Sequence, residues 1–356
     1  AAPDATLGLP SQRSTSPSEA ERALGQALFF DRRLSFNGTM SCSMCHVPEQ
    51  GFTSTESRTA VGMEGKSLPR NAPTLLNVGW LSRLFHDGRE NSLATQAWSP
   101  LLNPMEMGNP STGYVLEKIA ALPEYRPLFV AAYGTPTPNM SQVGEALQAF
   151  ERSLVAAGSR FDQWFYAKRA DAMGEQEQAG FRLFTGKAGC SACHQIGATD
   201  SLFTDERYHA TGVSMRSPAS TAAPIRLAEG VFTHIDNVEL SAFANDATPD
   251  LGRFEITLDP ADRYTFRTPS LRNVDRTAPY MHDGSLPTLE AVVAFYDSGG
   301  GGVPNKSPLI RPLGLTSDEQ AALVHFLKAL TSPAAESLPR QLRASDRRYS
   351  GSSTHE

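Results

Sequence analysis

Residues 186–197 read GKAGCSACHQIG, and residues 39–50 read TMSCSMCHVPEQ. Each stretch contains the pattern Cys-x-x-Cys-His, and the two copies hold all four cysteines of the chain: Cys42, Cys45, Cys190 and Cys193. A disulfide-stabilised secreted protein would distribute its cysteines more widely, and a zinc site would need further Cys or His ligands at suitable spacing. The positions of the cysteines therefore argue against both a disulfide framework and a zinc site.

The pattern Cys-x-x-Cys-His indicates covalent attachment of a c-type haem. Its two thiols are spaced to form thioethers with the haem vinyl groups, and the adjacent histidine, His46 or His194, then reaches the iron as proximal ligand. The alternative is a redox-active Cys-x-x-Cys that happens to precede a histidine, and the duplication argues against it. We therefore expect two covalently bound haem c groups, each forming part of a protein core.

Composition and charge exclude several classes of protein. The 356 residues include 32 basic and 38 acidic side chains, for a net charge of −6 without long runs of one sign, which argues against a nucleic-acid partner. No run of about 18 apolar residues is present, so we expect no membrane span. Because haem attachment of this kind takes place outside the cytoplasm, and because the chain starts with Ala-Ala-Pro, we expect a periplasmic protein whose signal peptide has been removed.

Helical patterns lead into both motifs and suggest one α-helical unit used twice. We therefore predict a mainly α protein with two cytochrome c-like helical domains, each with one haem, and long loops. The predicted boundaries are 1–165 for the N-terminal haem domain, 166–338 for the C-terminal haem domain and 339–356 for a polar tail. Residues 197–262 are rich in Pro, Ala, Thr and Asp, which predicts loops with a short hairpin.

Two capping boxes mark predicted helix starts. Ser16 and Glu19, with Pro17 at the first helical position, predict the start of the first helix. Thr316 and Glu319 predict the start of the final one.

Longer segments around the motifs resemble the bacterial diheme cytochrome c peroxidase superfamily from about residue 20 to residue 330. They include FDRRLSFNGTMSCSMCH, PRNAPTLLN, FHDGRENSLATQAWSPLLNPMEM, FRLFTGKAGCSACH and FRTPSLRNVDRTAPYMHDGSLPTLEAVVAFY. The superfamily contains peroxidases and a MauG-like branch whose members, such as the methanobactin-associated diheme enzyme, oxidise residues of partner proteins.

One position distinguishes the two branches. In the peroxidases, the sixth ligand of the C-terminal haem is a methionine fourteen residues beyond the histidine of YMHDG, which is His282 here. The same count reaches Tyr296, and the resemblance to the MauG-like branch implies that Tyr296 is the axial ligand. A thioether favours ferrous iron, whereas a phenolate favours ferric and higher oxidation states. The alternative is that Tyr296 is a core tyrosine at a helix end, and His282 is expected near this haem in a hydrogen-bonding role.

The resemblance also implies the peroxide-reactive site at the N-terminal haem. It assigns Gln96, Pro100 and Glu106 to the distal pocket, with Glu106 as the catalytic carboxylate that handles protons during peroxide cleavage. Where the peroxidases have a removable histidine ligand, this chain has Met63. Met63 either coordinates weakly or leaves the iron five-coordinate, and we favour the second.

A calcium ion between the haems is also implied, bound by Asn71 and by backbone oxygens of Thr277 and Pro279. The alternative is that Asn71 only caps a turn. The inter-haem tryptophan of both branches is replaced by His86, and Ala188 stands where MauG has the surface tryptophan that reaches its partner. A different electron route and a different docking route are therefore expected.

These residues lead to three hypotheses. The first is a MauG-like enzyme that uses hydrogen peroxide to form a high-valent diheme state and oxidises a Trp or Tyr of a periplasmic partner protein by long-range electron transfer. The second is a cytochrome c peroxidase that takes electrons from a small cytochrome or copper protein. The third is a non-catalytic diheme electron carrier.

Overall fold

The computed structural model describes residues 4–11, 16–213, 223–228, 231–235 and 250–349. The described chain is mainly helical, as predicted. Its α-helices are α1 (Glu19–Phe30), α2 (Cys42–Cys45), α3 (Leu93–Gln96), α4 (Trp98–Leu102), α5 (Thr112–Ala121), α6 (Tyr125–Tyr133), α7 (Met140–Arg152), α8 (Arg160–Phe165), α9 (Glu175–Thr185), α10 (Phe254–Thr257), α11 (Leu289–Asp297), α12 (Ser317–Lys328) and α13 (Pro333–Tyr349). Short 3-10 turns lie at Arg32–Leu34, Pro48–Gln50, Met63–Gly65, Val78–Trp80, Cys190–Ala192, Pro260–Asp262 and Val274–Arg276.

Two small antiparallel sheets complete the described secondary structure. β2 (Ala223–Ala228) pairs with β3 (Val231–Ile235), which confirms the hairpin predicted within residues 197–262. β1 (Tyr208–Ala210) pairs with β4 (Thr265–Arg267), a long-range pairing that the loop-rich sequence did not indicate. Residues 214–222, 229–230 and 236–249 of the predicted loop segment lie outside the described residues, and the short helix α10 lies within the segment.

The core of the N-terminal half forms where α1 crosses α7. Gly25 makes the close crossing possible, because a Cβ at this position would overlap the carbonyl oxygen of Ala146. One turn further along α1, the ring of Phe29 lies 5.0 Å from the ring of Phe150. Both rings are fully buried. This apolar crossing fixes the helix that leads into the first Cys-x-x-Cys-His copy.

The C-terminal half repeats the same crossing with α9 and α12. A Cβ on Gly180 would overlap the carbonyl oxygen of Ala322, and the rings of Phe184 and Phe326 lie 5.0 Å apart. Equivalent residues therefore make equivalent contacts in the two halves. The duplication expected from the motifs extends to the packing of the helices.

A second repeated segment joins the halves. Asn77 and Asn273 both have left-handed backbone at φ 60°, and both are buried. Each donates its side-chain amide to the carbonyl oxygen of Ala156, at 2.9 Å in both cases. Asn77 also accepts from the Ala156 amide, whereas Asn273 accepts from the Ser332 amide. The repeated asparagines thus meet at one carbonyl between the two cores.

The helix starts test the predicted capping boxes. The final box is confirmed, because Thr316 caps α12 and exchanges hydrogen bonds with Glu319. The first prediction is wrong by two residues, since α1 is capped by Ser18 and Glu21. Two overlapping Ser-x-x-Glu matches exist here, and the later start places two glutamates in the first turn, where the helix dipole favours negative charge.

Residues near both predicted limits of the C-terminal domain pack in ways that the sequence did not indicate. The boundary near residue 165 remains a prediction, and Phe161 of α8, just before it, already packs in the second core. Much of the segment expected to be a polar tail belongs to α13, which runs to Tyr349. Ala335 and Leu342 of this helix pack on the first core, so the chain returns to the N-terminal half. Within the described residues, no helix has the length and apolar character needed to cross a bilayer.

Candidate functional site

One cavity gathers the residues predicted for the first haem. Cys42, Cys45 and His46 line one part of it. The cavity is also lined by the three predicted distal residues, Gln96, Pro100 and Glu106. The structure therefore brings all six residues together around one cavity.

His46 has the surroundings of a metal-binding imidazole. Its Nδ1 lies 3.1 Å from the carbonyl oxygen of Phe52, and burial lowers the pKa of the ring. Metal-binding histidines commonly use one ring nitrogen for a backbone carbonyl, which fixes the ring and presents the other nitrogen to the metal. The ring is therefore held neutral and oriented, as an iron ligand requires.

His194 repeats this arrangement in the C-terminal half. Its Nδ1 lies 2.8 Å from the carbonyl oxygen of Phe203, and burial again lowers the pKa of the ring. Phe52 and Phe203 are fully buried and have left-handed backbone, at φ 56° and 52°. Sequence reasoning missed these orienting residues, because they follow the two histidines at unequal spacings.

Tyr296, on α11, lies near the second Cys-x-x-Cys-His copy. Burial raises the pKa of its phenol, and the charges of Cys190 and Cys193 act in the same direction. The charges of both thiols act on this buried phenol although the tyrosine follows them by more than 100 residues. Binding of a haem iron by Tyr296 stays a prediction.

The corresponding position in the first half is Pro100. It stands fourteen residues after His86, as Tyr296 stands fourteen residues after His282. The surrounding backbone also matches, since the bridge between Leu84 and Glu90 has its equivalent between Tyr280 and Leu286. Proline has no side-chain atom that can bind a metal. At this position the first half thus lacks the side-chain oxygen that Tyr296 offers in the second half.

Glu106 lies in the first cavity with its carboxylate held by a neighbour. Asn103 donates its side-chain amide to Glu106 Oε1 at 2.7 Å. Burial raises the pKa of the Glu106 carboxyl, and the Asn103 hydrogen bond and the Arg89 charge partly oppose the rise. A carboxyl with a raised pKa that lines the cavity suits proton transfer. Asn103 was not predicted, although it lies only three residues before Glu106.

Met63 packs against the backbone of the segment that contains Glu106. Its amide donates to the carbonyl oxygens of Met105 and Glu106, at 3.2 Å each. A Cβ on Gly108 would meet the Met63 side chain, which is buried in the first core. Met63 is absent from the residues that line the cavity within the described chain. Its packing favours a structural role over the weak coordination considered above.

His86 and His282, one from each repeated segment, are neighbours in the structure. The rings of His86 and His282 lie 6.5 Å apart in an edge-to-face arrangement, and His86 Nε2 lies 2.8 Å from the Asn71 carbonyl oxygen. Burial lowers the pKa of His86 to about 3 and that of His282 to about 4. Both rings are therefore neutral near pH 7.

Two of the residues predicted to bind calcium, Asn71 and Pro279, are in contact. The side-chain amide of Asn71 donates to the Pro279 carbonyl oxygen at 2.6 Å, and the Asn71 amide nitrogen donates to the His282 carbonyl oxygen at 2.7 Å. Asn71 Oδ1 is buried without a hydrogen-bond partner. An orphaned oxygen beside backbone carbonyls fits a hard cation such as calcium. Thr277 lies two residues before Pro279 in the same segment.

A further cluster borders the second attachment site. His209 Nε2 lies 3.0 Å from Asp205 Oδ2, and Cys193 completes a group whose ligand atoms lie within 4.8 Å of one another. Attachment of a haem through Cys193 would use its sulfur as a thioether. His209 is hydrogen-bonded rather than free.

Comparison with known proteins agrees with this geometry. The family described as "Di-haem cytochrome c peroxidase" matches residues 19–170. The methylamine utilization protein MauG of Methylorubrum extorquens is 39% identical over 322 residues, which cover 89% of this chain and 80% of that protein. The chain belongs to the di-haem cytochrome c peroxidase family.

Other family members carry the peroxidase name. Cytochrome-c peroxidase IdrP1 of Denitromonas iodatirespirans is 36% identical over 319 residues, covering 89% of this chain and 83% of that protein. Cytochrome c551 peroxidase of Nitrosomonas europaea is 34% identical over 321 residues, which cover 90% of this chain and 82% of that protein. This chain is therefore a diheme peroxidase-type oxidoreductase with two haem c groups.

Solved structures of the family have the same fold. A MauG-like protein associated with microbial copper homeostasis superposes with a TM-score of 0.75 at 32% identity, covering 93% of this chain and 97% of that one. The diheme peroxidase BthA of Burkholderia thailandensis superposes with a TM-score of 0.74 at 28% identity, covering 95% and 91%.

Proposed function

We propose that this family member is a MauG-like enzyme that uses hydrogen peroxide to oxidise a Trp or Tyr residue of a partner protein. The proposal is supported by Tyr296, which stands fourteen residues after His282 and is a buried phenol on which the charges of Cys190 and Cys193 act. A phenolate ligand favours ferric and higher oxidation states, which suits a centre that stores oxidising equivalents. The centre would be a poor acceptor from a soluble electron donor for the same reason.

The first cavity supplies the residues for the reaction with peroxide. Cys42 and Cys45 would hold the haem as thioethers, and His46 would bind its iron. When bound, the haem iron supplies the site at which peroxide reacts. Glu106 would take a proton from the bound oxygen and deliver it to the leaving one, while Gln96 offers an amide for orienting the peroxide. Pro100 leaves this side of the cavity without a side-chain ligand.

The second centre supplies the ligands for the storing haem. Cys190 and Cys193 would hold it, and His194 and Tyr296 would bind its iron. His86 and His282, one from each half, are neighbouring neutral rings that would lie between the two haems. Because imidazole is harder to oxidise than indole, we infer that electrons tunnel past these rings rather than reside on them. The partner then needs to dock at the surface only, without entering either haem pocket.

Calcium would add a structural ion to this central region. Asn71 Oδ1 is the side-chain ligand that the geometry favours, with backbone oxygens of Thr277 and Pro279 completing the protein's share. Haem attachment through Cys-x-x-Cys-His supports a periplasmic location. The periplasmic location and the calcium ion are parts of the same proposal.

The names of the relatives favour a second candidate, a peroxidase that takes its electrons from a small cytochrome or copper protein. The two functions differ in what reduces the enzyme. We expect the holoenzyme, oxidised with one equivalent of peroxide, to react slowly with ferrous cytochrome c and to persist until a protein substrate is added. Rapid steady-state oxidation of ferrous cytochrome c, without any modified protein, would instead establish the peroxidase.

A further inference from the structure

Glu151, on α7, is a carboxyl in the first cavity that the proposed reaction does not use. Its side chain lines the cavity together with Cys42, His46 and Glu106. Only 6% of the residue is exposed, and its Oε2 is buried without a hydrogen-bond partner. A buried carboxyl without a partner is costly, so its presence calls for an explanation.

The second half shows that the fold does not require this carboxyl. The equivalent crossings of Gly25 with Ala146 and of Gly180 with Ala322 align α7 with α12. In this alignment Leu327 stands where Glu151 stands. Leu327 is buried and packs in the core that contains Cys190. The same helical position is therefore apolar at one centre and acidic at the other.

The surroundings of Glu151 favour its neutral form. Burial raises the pKa of its carboxyl to about 8, and its negative charge contributes to the raised pKa of the Cys42 thiol. Helices α1 and α3, which pack against α7, line the cavity with Phe29 and Gln96. The other titratable groups that line it are Cys42, Cys45, His46 and Glu106, and no Lys or Arg belongs to this described lining.

We propose that Glu151 is the proton-coupling residue of the first haem, holding a proton while the iron is reduced and releasing it when the iron is oxidised. This inference rests on the proposed place of a haem in the first cavity. On oxidation, one electron would pass from the haem to an external one-electron acceptor such as a redox mediator. The O–H bond of the Glu151 carboxyl then breaks, the proton passes to solvent, and a carboxylate is left in the cavity. The coupling is electrostatic, because negative charge on Glu151 stabilises the oxidised state.

Potentiometric titration of the holoenzyme from pH 5 to pH 9 tests the inference, with mediators as electron donors and acceptors. Reduction takes up a proton where Glu151 is ionised beside oxidised haem, so the midpoint potential of the first haem should fall as pH rises. The limiting slope is about 59 mV per pH unit, the value of a tenfold change for a one-electron couple. Glu151→Gln and Glu151→Leu should both remove this slope.

The two variants complement each other as tests. Glu151→Gln keeps the shape of the side chain, and Glu151→Leu introduces the residue that the second half has at Leu327. If one variant fails to attach haem, the other can still be measured. The potential of the second haem serves as the internal control and should not change. In redox-difference infrared spectra, the carbonyl band of a carboxylic acid should disappear on oxidation of the wild type and be missing from Glu151→Gln.

Two results would overturn the inference. One is a wild-type potential independent of pH over this range. The other is a wild-type slope that persists in Glu151→Gln, which would assign the coupling to Glu106 or to a haem propionate. These measurements require neither peroxide nor a partner protein, so they stand apart from the test of the proposed function.

Discussion

Tyr296 and Pro100 occupy equivalent positions in the two halves of the chain, each fourteen residues after the histidine of a His-Asp-Gly sequence. One side chain carries a phenol that can bind iron, and the other has no atom able to do so. Each residue stands eight positions after a helix N-cap, which is Ser92 before α3 for Pro100 and Thr288 before α11 for Tyr296. A single substitution in a duplicated frame can thus give two similar haem anchors different chemistry.

The carboxyl of Glu106 should govern the reaction with peroxide. We expect Glu106→Gln to slow that reaction by about 10²–10⁴-fold, the usual contribution of general acid–base catalysis, without changing haem content. Stopped-flow absorbance with excess peroxide measures the rate. The exposed Glu117→Gln on α5 is the matched control and should react like the wild type. Equal rates for all three proteins would remove Glu106 from the mechanism.

Asn103 should set the pH dependence of that rate. Its hydrogen bond lowers the pKa of Glu106 against the effect of burial, so Asn103→Leu should raise that pKa further. The carboxylate is the form that accepts a proton, so the rate rises with pH through the pKa. We expect the rising limb of the pH profile to move to higher pH in Asn103→Leu. A uniform loss of rate with no shift of the profile would contradict this role.

The helix crossing at Gly25 should be sensitive to one methyl group. We expect Gly25→Ala to destabilise the protein by about 1–3 kcal/mol, because the new Cβ would overlap the Ala146 carbonyl oxygen. Gly113→Ala on α5 is the control, since a Cβ there meets only Ser111 Oγ at 3.8 Å. It should stabilise α5 by about 0.5–1 kcal/mol. Denaturant unfolding of the holoproteins measures both changes in the free energy of unfolding. If the two changes have the same sign, the close contact at Gly25 is contradicted.

The shared carbonyl of Ala156 should couple Asn77 to Asn273. Each Asn→Ala variant removes an amide donor to that oxygen and leaves buried groups unsatisfied, at about 1–3 kcal/mol per group. Because the two amides share one acceptor, their effects should not add in a double-mutant cycle. The free energies of unfolding of the two single variants and the double variant give the coupling. Strict additivity would show that the halves are not joined here.

Calcium should be removable by chelation and should depend on Asn71. We expect chelator treatment to release about one calcium ion per chain and to lower the unfolding temperature of the holoprotein. Asn71→Ala should bind no calcium, whereas Asn71→Asp keeps an oxygen ligand and should retain it. Metal analysis of the purified holoproteins measures this. Full calcium content in Asn71→Ala would place the ion elsewhere.

The sequence indicated a large part of this site because its chemistry lies in short or characteristic segments. Cys42, Cys45 and His46 are adjacent, and Glu106 belongs to a segment that resembles the family. In the structure these four residues line the same cavity. Tyr296 required a count from His282, and the structure brings it to Cys190 although they are distant along the chain.

Other features depend on tertiary contacts that no local pattern encodes. Phe52 and Phe203 act through backbone carbonyls, which are independent of the side-chain type. Glu151 lies on α7, and an acidic residue of a helix is ordinarily assigned to the solvent-exposed face. The start of α1 was wrong because two Ser-x-x-Glu patterns overlap and only the packed helix selects Ser18.

The most direct test of the account is the electron paramagnetic resonance spectrum of the ferric holoenzyme and of its Tyr296→Phe variant. The wild type should give one high-spin and one low-spin haem. Phenylalanine cannot bind iron, so Tyr296→Phe should convert the low-spin signal to high-spin, whereas Tyr280→Phe, the control in the same cluster, should leave it unchanged. An unchanged low-spin signal in Tyr296→Phe would contradict the assignment of Tyr296 as the ligand and, with it, the MauG-like function.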